Sequence, residues 1–132
     1  MLVLLDQEGM QYYVSDSCEH ILGYTPEELM NVPVIDLFIH PDDKDITREG
    51  LRHIIENNKN GGTQYRHRHK NGGWVYLEAF GTNQLDNPAV ASVVLNVRDI
   101  TERKKAELAR KESEARLSEL NATKDRFLSI IS

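Results

Sequence analysis

The sequence predicts an α+β domain over residues 1–100, followed by a long helix over 101–132. Three observations predict it. Two short apolar runs flank a turn at the start, and three strand-like segments with short connections fill residues 63–99. Helix start signals crowd the stretch between them. Residues 102–132 contain no Gly or Pro.

The elements follow in order. Leu2–Leu5 and Gln11–Ser15 alternate as strands around Asp6–Gly9, whose residue types suit a turn. Ser15 or Asp16 can cap a first short helix, and Gly23 can end it. Thr25-Pro26-Glu27-Glu28 starts a second helix, with Thr25 as cap, Pro26 at the first helical position and Glu28 closing a capping box. His40-Pro41-Asp42-Asp43 starts a third, because acids in a first turn suit the helix dipole. Ile46, Leu51, Ile54 and Ile55 then share one helical stripe, and residues 57–62 end it. Residues 63–70 alternate Tyr65, His67 and His69 against Gln64, Arg66 and Arg68. Asn71-Gly72-Gly73 makes a hairpin turn into a strand from Trp74. A loop through Asp86-Asn87-Pro88 leads to the last strand, ending near Asp99. Connections this short imply antiparallel neighbours.

The charge is unevenly spread. Residues 1–100 hold 15 acids against 8 bases, and residues 101–132 hold 6 against 8. An acidic body excludes the basic face of a nucleic-acid binder. No apolar run approaches the roughly eighteen residues of a membrane span, and no signal peptide is present. The single cysteine, Cys18, rules out an internal disulfide and a thiolate metal cluster. A cytoplasmic setting is expected, with any membrane anchor lying upstream.

Four strings then resemble the PAS sensory domain family. They are Asp6-x-x-Gly9 with Tyr12 and Ser15; Ile21 to Leu29 followed by His40 to Asp43; Tyr65-Arg66-x-Arg68-x-Lys70-x-Gly72 with Trp74; and Arg98 to Lys104. They cover about residues 2–104 in the family's order and spacing. The resemblance implies a five-stranded antiparallel sheet with helices on one face, enclosing a small cavity. Strand alternation and the helical stripe place Leu51, Ile54, Ile55, Tyr65, His67 and Leu77 as candidate ligand-pocket residues. The resemblance also assigns Asp99, Ile100, Thr101 and Glu102 to the junction where the last strand becomes a signalling helix. Asp99 and Glu102 stand at capping-box spacing, which agrees.

The final helix turns apolar at its end, in Lys124 to Ser132, "KDRFLSIIS". That string resembles the segment before the phosphoaccepting histidine of bacterial sensor histidine kinases. The resemblance implies that a His and then an acid would follow, so both chain ends are expected to be breaks within a longer protein. A seam runs through Ala106, Ala109, Ser113, Leu117, Leu120, Lys124, Phe127 and Ile131, with a stutter at Ser113 and an interruption at Lys124. Pairing of two copies in parallel through Leu117, Leu120, Phe127 and Ile131 would bury its stronger half. The alternative is a solvated helix without a partner.

No catalytic site is expected. The chain lacks a phosphate-cradling glycine loop, and Asp42-Asp43 read as helix-start acids, since neighbours on a helix do not face each other. His67 and His69 share one strand face, but two histidines do not complete a zinc site. His53 sits near where haem-binding relatives keep an axial His, about two turns early, so haem is not expected. Cys18 lies in the first short helix without the Asn-Cys-Arg-Phe string of flavin photoreceptors, and reads as a small buried hydrophobe. The cofactor, if any, stays unknown. The expected function is the input module of a two-component sensor histidine kinase. It would sense a small ligand or partner and signal through a dimeric helix to a phosphorelay. A response regulator would be met only through the full-length parent. Two alternatives stay open: a structural dimerisation module without ligand, and the input domain of another output such as a cyclase.

Overall fold

A computed structural model describes residues 1–131, with the side chain of Ile131 outside the described residues. The chain divides into two units, Met1–Ile100 and the helix that starts at Thr101. The first unit contains strands β1 (Leu2–Leu5) and β2 (Gln11–Val14), then helices α1 (Ser17–Leu22), α2 (Pro26–Leu29) and α3 (Val34–Phe38). A 3-10 turn (Pro41–Asp43) leads into α4 (Lys44–Asn57), followed by β3 (Gly61–Arg68), β4 (Trp74–Gln84) and β5 (Ser92–Asp99). The second unit is α5 (Thr101–Ile131).

The strands form one sheet in the order β2-β1-β5-β4-β3, and every neighbouring pair is antiparallel. The chain's first and last strands therefore lie side by side at its centre. Val75, Leu77 and Ala79 of β4 are buried, while Trp74 and Phe80 on the opposite face are exposed. That alternation makes one face of the sheet the core wall. α4 packs on β3 and β4, and α2 packs on β2.

The local signals act as their chemistry requires. The Asp6 carboxylate accepts from the N–H groups of Glu8 and Met10, both at 2.9 Å, closing the first turn around Gly9. Gly23 ends α1 with φ +78°, and a Cβ there would lie 2.9 Å from the His69 ring. The Thr25–Glu28 capping box is formed at the start of α2. Glu28 also accepts from Lys70 Nζ at 2.9 Å, so the same carboxylate ties α2 to the β3–β4 hairpin. Those hydrogen bonds hold the Glu28 carboxyl below its usual range, the one from Lys70 most of all.

Tertiary packing redrew three expectations. Residues 34–38 form α3, which carries no cap or periodic signal of its own. β3 begins at Gly61, because Gly61 and Gly62 pair with Gly81 and Phe80 of β4. A partner strand supplies ladder hydrogen bonds even where glycine lowers strand propensity. Ile46, expected on the buried stripe of α4, is 59% exposed, because its side borders the open cavity described below.

The start signal at His40 opens a 3-10 turn in which His40 Nδ1 accepts from the Asp42 N–H at 3.1 Å. Asp43 does more than begin a helix. Its carboxylate accepts from the Arg66 backbone N–H at 2.8 Å and from Arg66 Nε and Nη2, both at 2.9 Å. The Arg66 guanidinium thereby holds the Asp43 carboxyl below its usual range. With the His40 N–H donating to the Arg66 carbonyl at 2.9 Å, this segment covers the outer edge of β3.

Candidate functional site: an apolar cavity between α4 and the sheet

The interior is not filled to the end. A cavity of about 420 Å³ lies between α4, the segment entering α3 and the inner face of the sheet. Its walls are mainly aliphatic: Leu51 and Ile54 from α4, Val32 and Ile35 from the α3 segment, Ala79 from β4 and Leu95 from β5. Glycines make the room. Gly50 contributes to the α4 wall, and Gly61, Gly62 and Gly81 contribute to the sheet wall. At Gly81 a Cβ would lie 2.6 Å from Ile54 Cδ1 and 2.9 Å from Leu95 Cδ2, so only glycine lets α4 sit this close.

Three polar side chains on the walls have hydrogen-bonding capacity unused by the protein. Gln11 is 9% exposed and donates from Nε2 to the Leu29 carbonyl at 2.9 Å, while its Oε1 accepts nothing among the described residues. Tyr65 and Thr63 line the cavity from β3. Among the described residues no fully buried side-chain N or O atom lacks a partner, so these groups face open space. Burial raises the Tyr65 phenol well above its usual range, and the group stays neutral.

The candidate pocket residues divide between three places. Leu51, Ile54 and Tyr65 stand in the cavity walls. Ile55 lines a second groove of about 490 Å³ that shares Val32, Val34, Ile35 and Leu51 with the first and is bordered by Arg48 and Arg52. Leu77 is fully buried in the packed core, and His67, 3% exposed, lies on the same inner face but outside the cavity walls. The His67 ring stacks on Phe38 with centroids 5.5 Å apart and an interplanar angle of 9°. α3, the unforeseen helix, supplies that Phe38. His67 Nδ1 lies 2.7 Å from the Arg68 carbonyl, so it carries the proton and donates. Burial pushes the His67 pKa down to about 4, and this outweighs the backbone hydrogen bond.

Other residues singled out from the sequence have ordinary places. His53 is exposed on α4, with Nδ1 2.8 Å from Asn57 Nδ2. Cys18 is fully buried, its thiol donating to the Tyr24 carbonyl at 3.3 Å, and burial raises its pKa. Sequence reasoning missed Gln11, Thr63 and Gly81. A glycine inside a strand pattern is a recognised mark of close approach, and Gly81 carried that signal.

The junction with α5 is short and anchored. Asp99 pairs with Leu77 at the end of β5. Ile100 is 4% exposed, and its N–H donates to the Tyr76 carbonyl at 2.9 Å. α5 begins at the next residue, Thr101, with Glu102 in its first turn. Leu95 of the cavity wall and Asp99 lie on one strand, about 13 Å apart at strand rise. Along α5, Leu117, Leu120 and Phe127 are exposed by 56%, 64% and 60%. No described helix is long and apolar enough to cross a membrane.

This architecture has known relatives. The family described as PAS fold matches residues 11–94. The White collar 2 protein of Neurospora crassa is 36% identical over 78 residues, 59% of this chain and 14% of its own length, so the chain spans a small part of that relative. A sensory box histidine kinase/response regulator from Burkholderia thailandensis E264 is similar in structure. It shows TM-score 0.70 and 26% identity, and the match covers 89% of this chain and 88% of that one. The N-terminal domain of a diguanylate cyclase with PAS/PAC sensor from Marinobacter aquaeolei shares the fold at TM-score 0.67 and 17% identity, over 78% of this chain and 96% of that one. The four sequence strings, the sheet order with its cavity and the family match over residues 11–94 agree: the chain belongs to the PAS family of sensory domains.

Proposed function

We propose that the chain is the input module of a sensor histidine kinase, in which a small ligand in the cavity biases a parallel pair of α5 helices. The observation that carries this reading is the cavity itself. About 420 Å³ of mostly aliphatic space, with unpaired Gln11, Thr63 and Tyr65 groups, is suited to a small molecule. β5 offers the route outward, since Leu95 touches the cavity and Ile100 ends the same run. A ligand can shift the output only through different affinities for the two arrangements of the helix pair.

The kinase output is supported by the string Phe127 to Ser132 and by the similarity to the Burkholderia sensory box kinase over most of both chains. The helix pairing rests on the exposed apolar residues Leu117, Leu120 and Phe127, which a second copy would cover. Native mass spectrometry of the purified chain, with an absorption spectrum, tests the sensing role. A bound small molecule, or a dimer whose stability responds to added cavity ligands, is the expected result. A chain that takes up no small molecule under any condition would leave a structural dimerisation module.

A further inference from the structure

The charge pattern of the cavity identifies the class of ligand. No Lys or Arg stands among its lining residues. Besides the neutral Tyr65, its titratable lining residues are Glu49 and His53, both exposed on α4. The Glu49 carboxylate already accepts from Arg52 Nη2. An anionic head drawn inside would therefore lose its hydration without gaining a cation, which costs far more than a neutral polar group does. An ammonium head would find only the occupied Glu49. A wholly apolar ligand has the opposite fault. It would cover the unpaired Tyr65 and Thr63 hydroxyls and Gln11 Oε1 without a partner, and each group so sealed from water loses its hydration uncompensated.

We propose that the cavity takes an uncharged amphiphile: an aliphatic body against Leu51, Ile54 and Leu95, and a hydroxyl or carbonyl head hydrogen-bonded by Tyr65, Thr63 or Gln11. Tyr65 and Thr63 each donate or accept, and Gln11 Oε1 accepts, so both head types find a partner. This rests on the reading that the cavity binds a ligand at all, and the experiment separates the two.

Three probes of equal chain length, 1-octanol, octanoate and octylammonium, are titrated into the full chain at pH 7.5 and fixed ionic strength. Affinity is read by calorimetry, and the site by amide chemical shifts. Octanol is expected to bind at least about tenfold more tightly than either ion, with shifts centred on residues 51–65 and Gln11. Tyr65→Phe or Thr63→Val should weaken octanol by about three- to tenfold and leave octanoate unchanged. Octanoate or octylammonium binding as tightly as octanol overturns the neutral-ligand assignment while keeping the sensing role. Octanol unaffected by both substitutions overturns the assigned head contacts. Failure of all three probes removes the ligand-binding reading, and this inference with it.

Discussion

Replacing Gly81 with alanine tests how closely α4 approaches the sheet. The new Cβ would stand 2.6 Å from Ile54 Cδ1 and 2.9 Å from Leu95 Cδ2, where ordinary contacts lie at 3.4–4 Å. Both atoms are terminal methyls of side chains that line the cavity, so they must rotate toward it, or α4 or β4 must shift. Overpacking of this kind costs about 1–3 kcal/mol. Alanine returns about 0.4–1 kcal/mol by restricting the unfolded chain. The net expectation is a loss of up to about 2.5 kcal/mol. Ile54→Val alone should cost about 0.5–1.5 kcal/mol. It also removes the very atom that the alanine meets, and Ile54 Cγ1 at 3.7 Å is an ordinary neighbour. The double variant should therefore fall short of the additive loss by about 1 kcal/mol, well beyond the roughly 0.3–0.5 kcal/mol scatter of independent sites. Urea unfolding followed by far-ultraviolet circular dichroism and by Trp74 fluorescence provides the four stabilities. Additive losses in the double variant would refute the claim that this glycine sets the helix–sheet spacing.

His67 titrates near 4 when folded and near 6.5 when free, so the unfolded chain binds more protons between those values. Stability should be unaffected by this group above pH 6.5 and fall by about 3 kcal/mol as pH drops toward 4. His67→Leu should flatten that slope between pH 7 and pH 5, and an unchanged slope would mean the ring is not buried neutral. Asp43→Ala removes the acceptor of three Arg66 N–H bonds and should destabilise the first unit by about 1–3 kcal/mol. Hydrogen exchange at the Arg66 amide should quicken more than exchange in β5, and equal protection in the variant would refute the edge-covering role. The depressed Asp43 pKa contributes stability that is present above the unfolded value near 3.9 and is lost as pH falls through the folded one. Leu117→Asp with Leu120→Asp should leave the first unit folded and make the chain monomeric. Sedimentation showing an unchanged dimer would shift the expected contact to the sheet.

The strands, the three signalled helices and both turns were legible because each rests on local chemistry. Thr25 and Glu28 meet within one helical turn, Asp6 reaches its own next residues, and alternation alone sends Tyr65 and His67 inward. The stripe of Leu51 and Ile54 is an equally short-range pattern. What the tertiary structure decided depends on distance between segments remote in the sequence. The ring that stacks on the buried His67 is Phe38, which comes from α3, a helix with no cap or period to announce it. Asp43 reads as a helix-start acid until β3 brings the Arg66 fork against it. Gln11 becomes a cavity group only because its amide is spent on the Leu29 carbonyl, 18 residues away. The absence of Lys and Arg from the cavity lining is of the same kind. Arg48 and Arg52 lie on the helix that forms its wall, and their side chains are exposed and engaged with acids on the surface. Residue types and periods state what a segment is able to do; which unpaired groups face a common space is set by long-range packing, which no local pattern encodes.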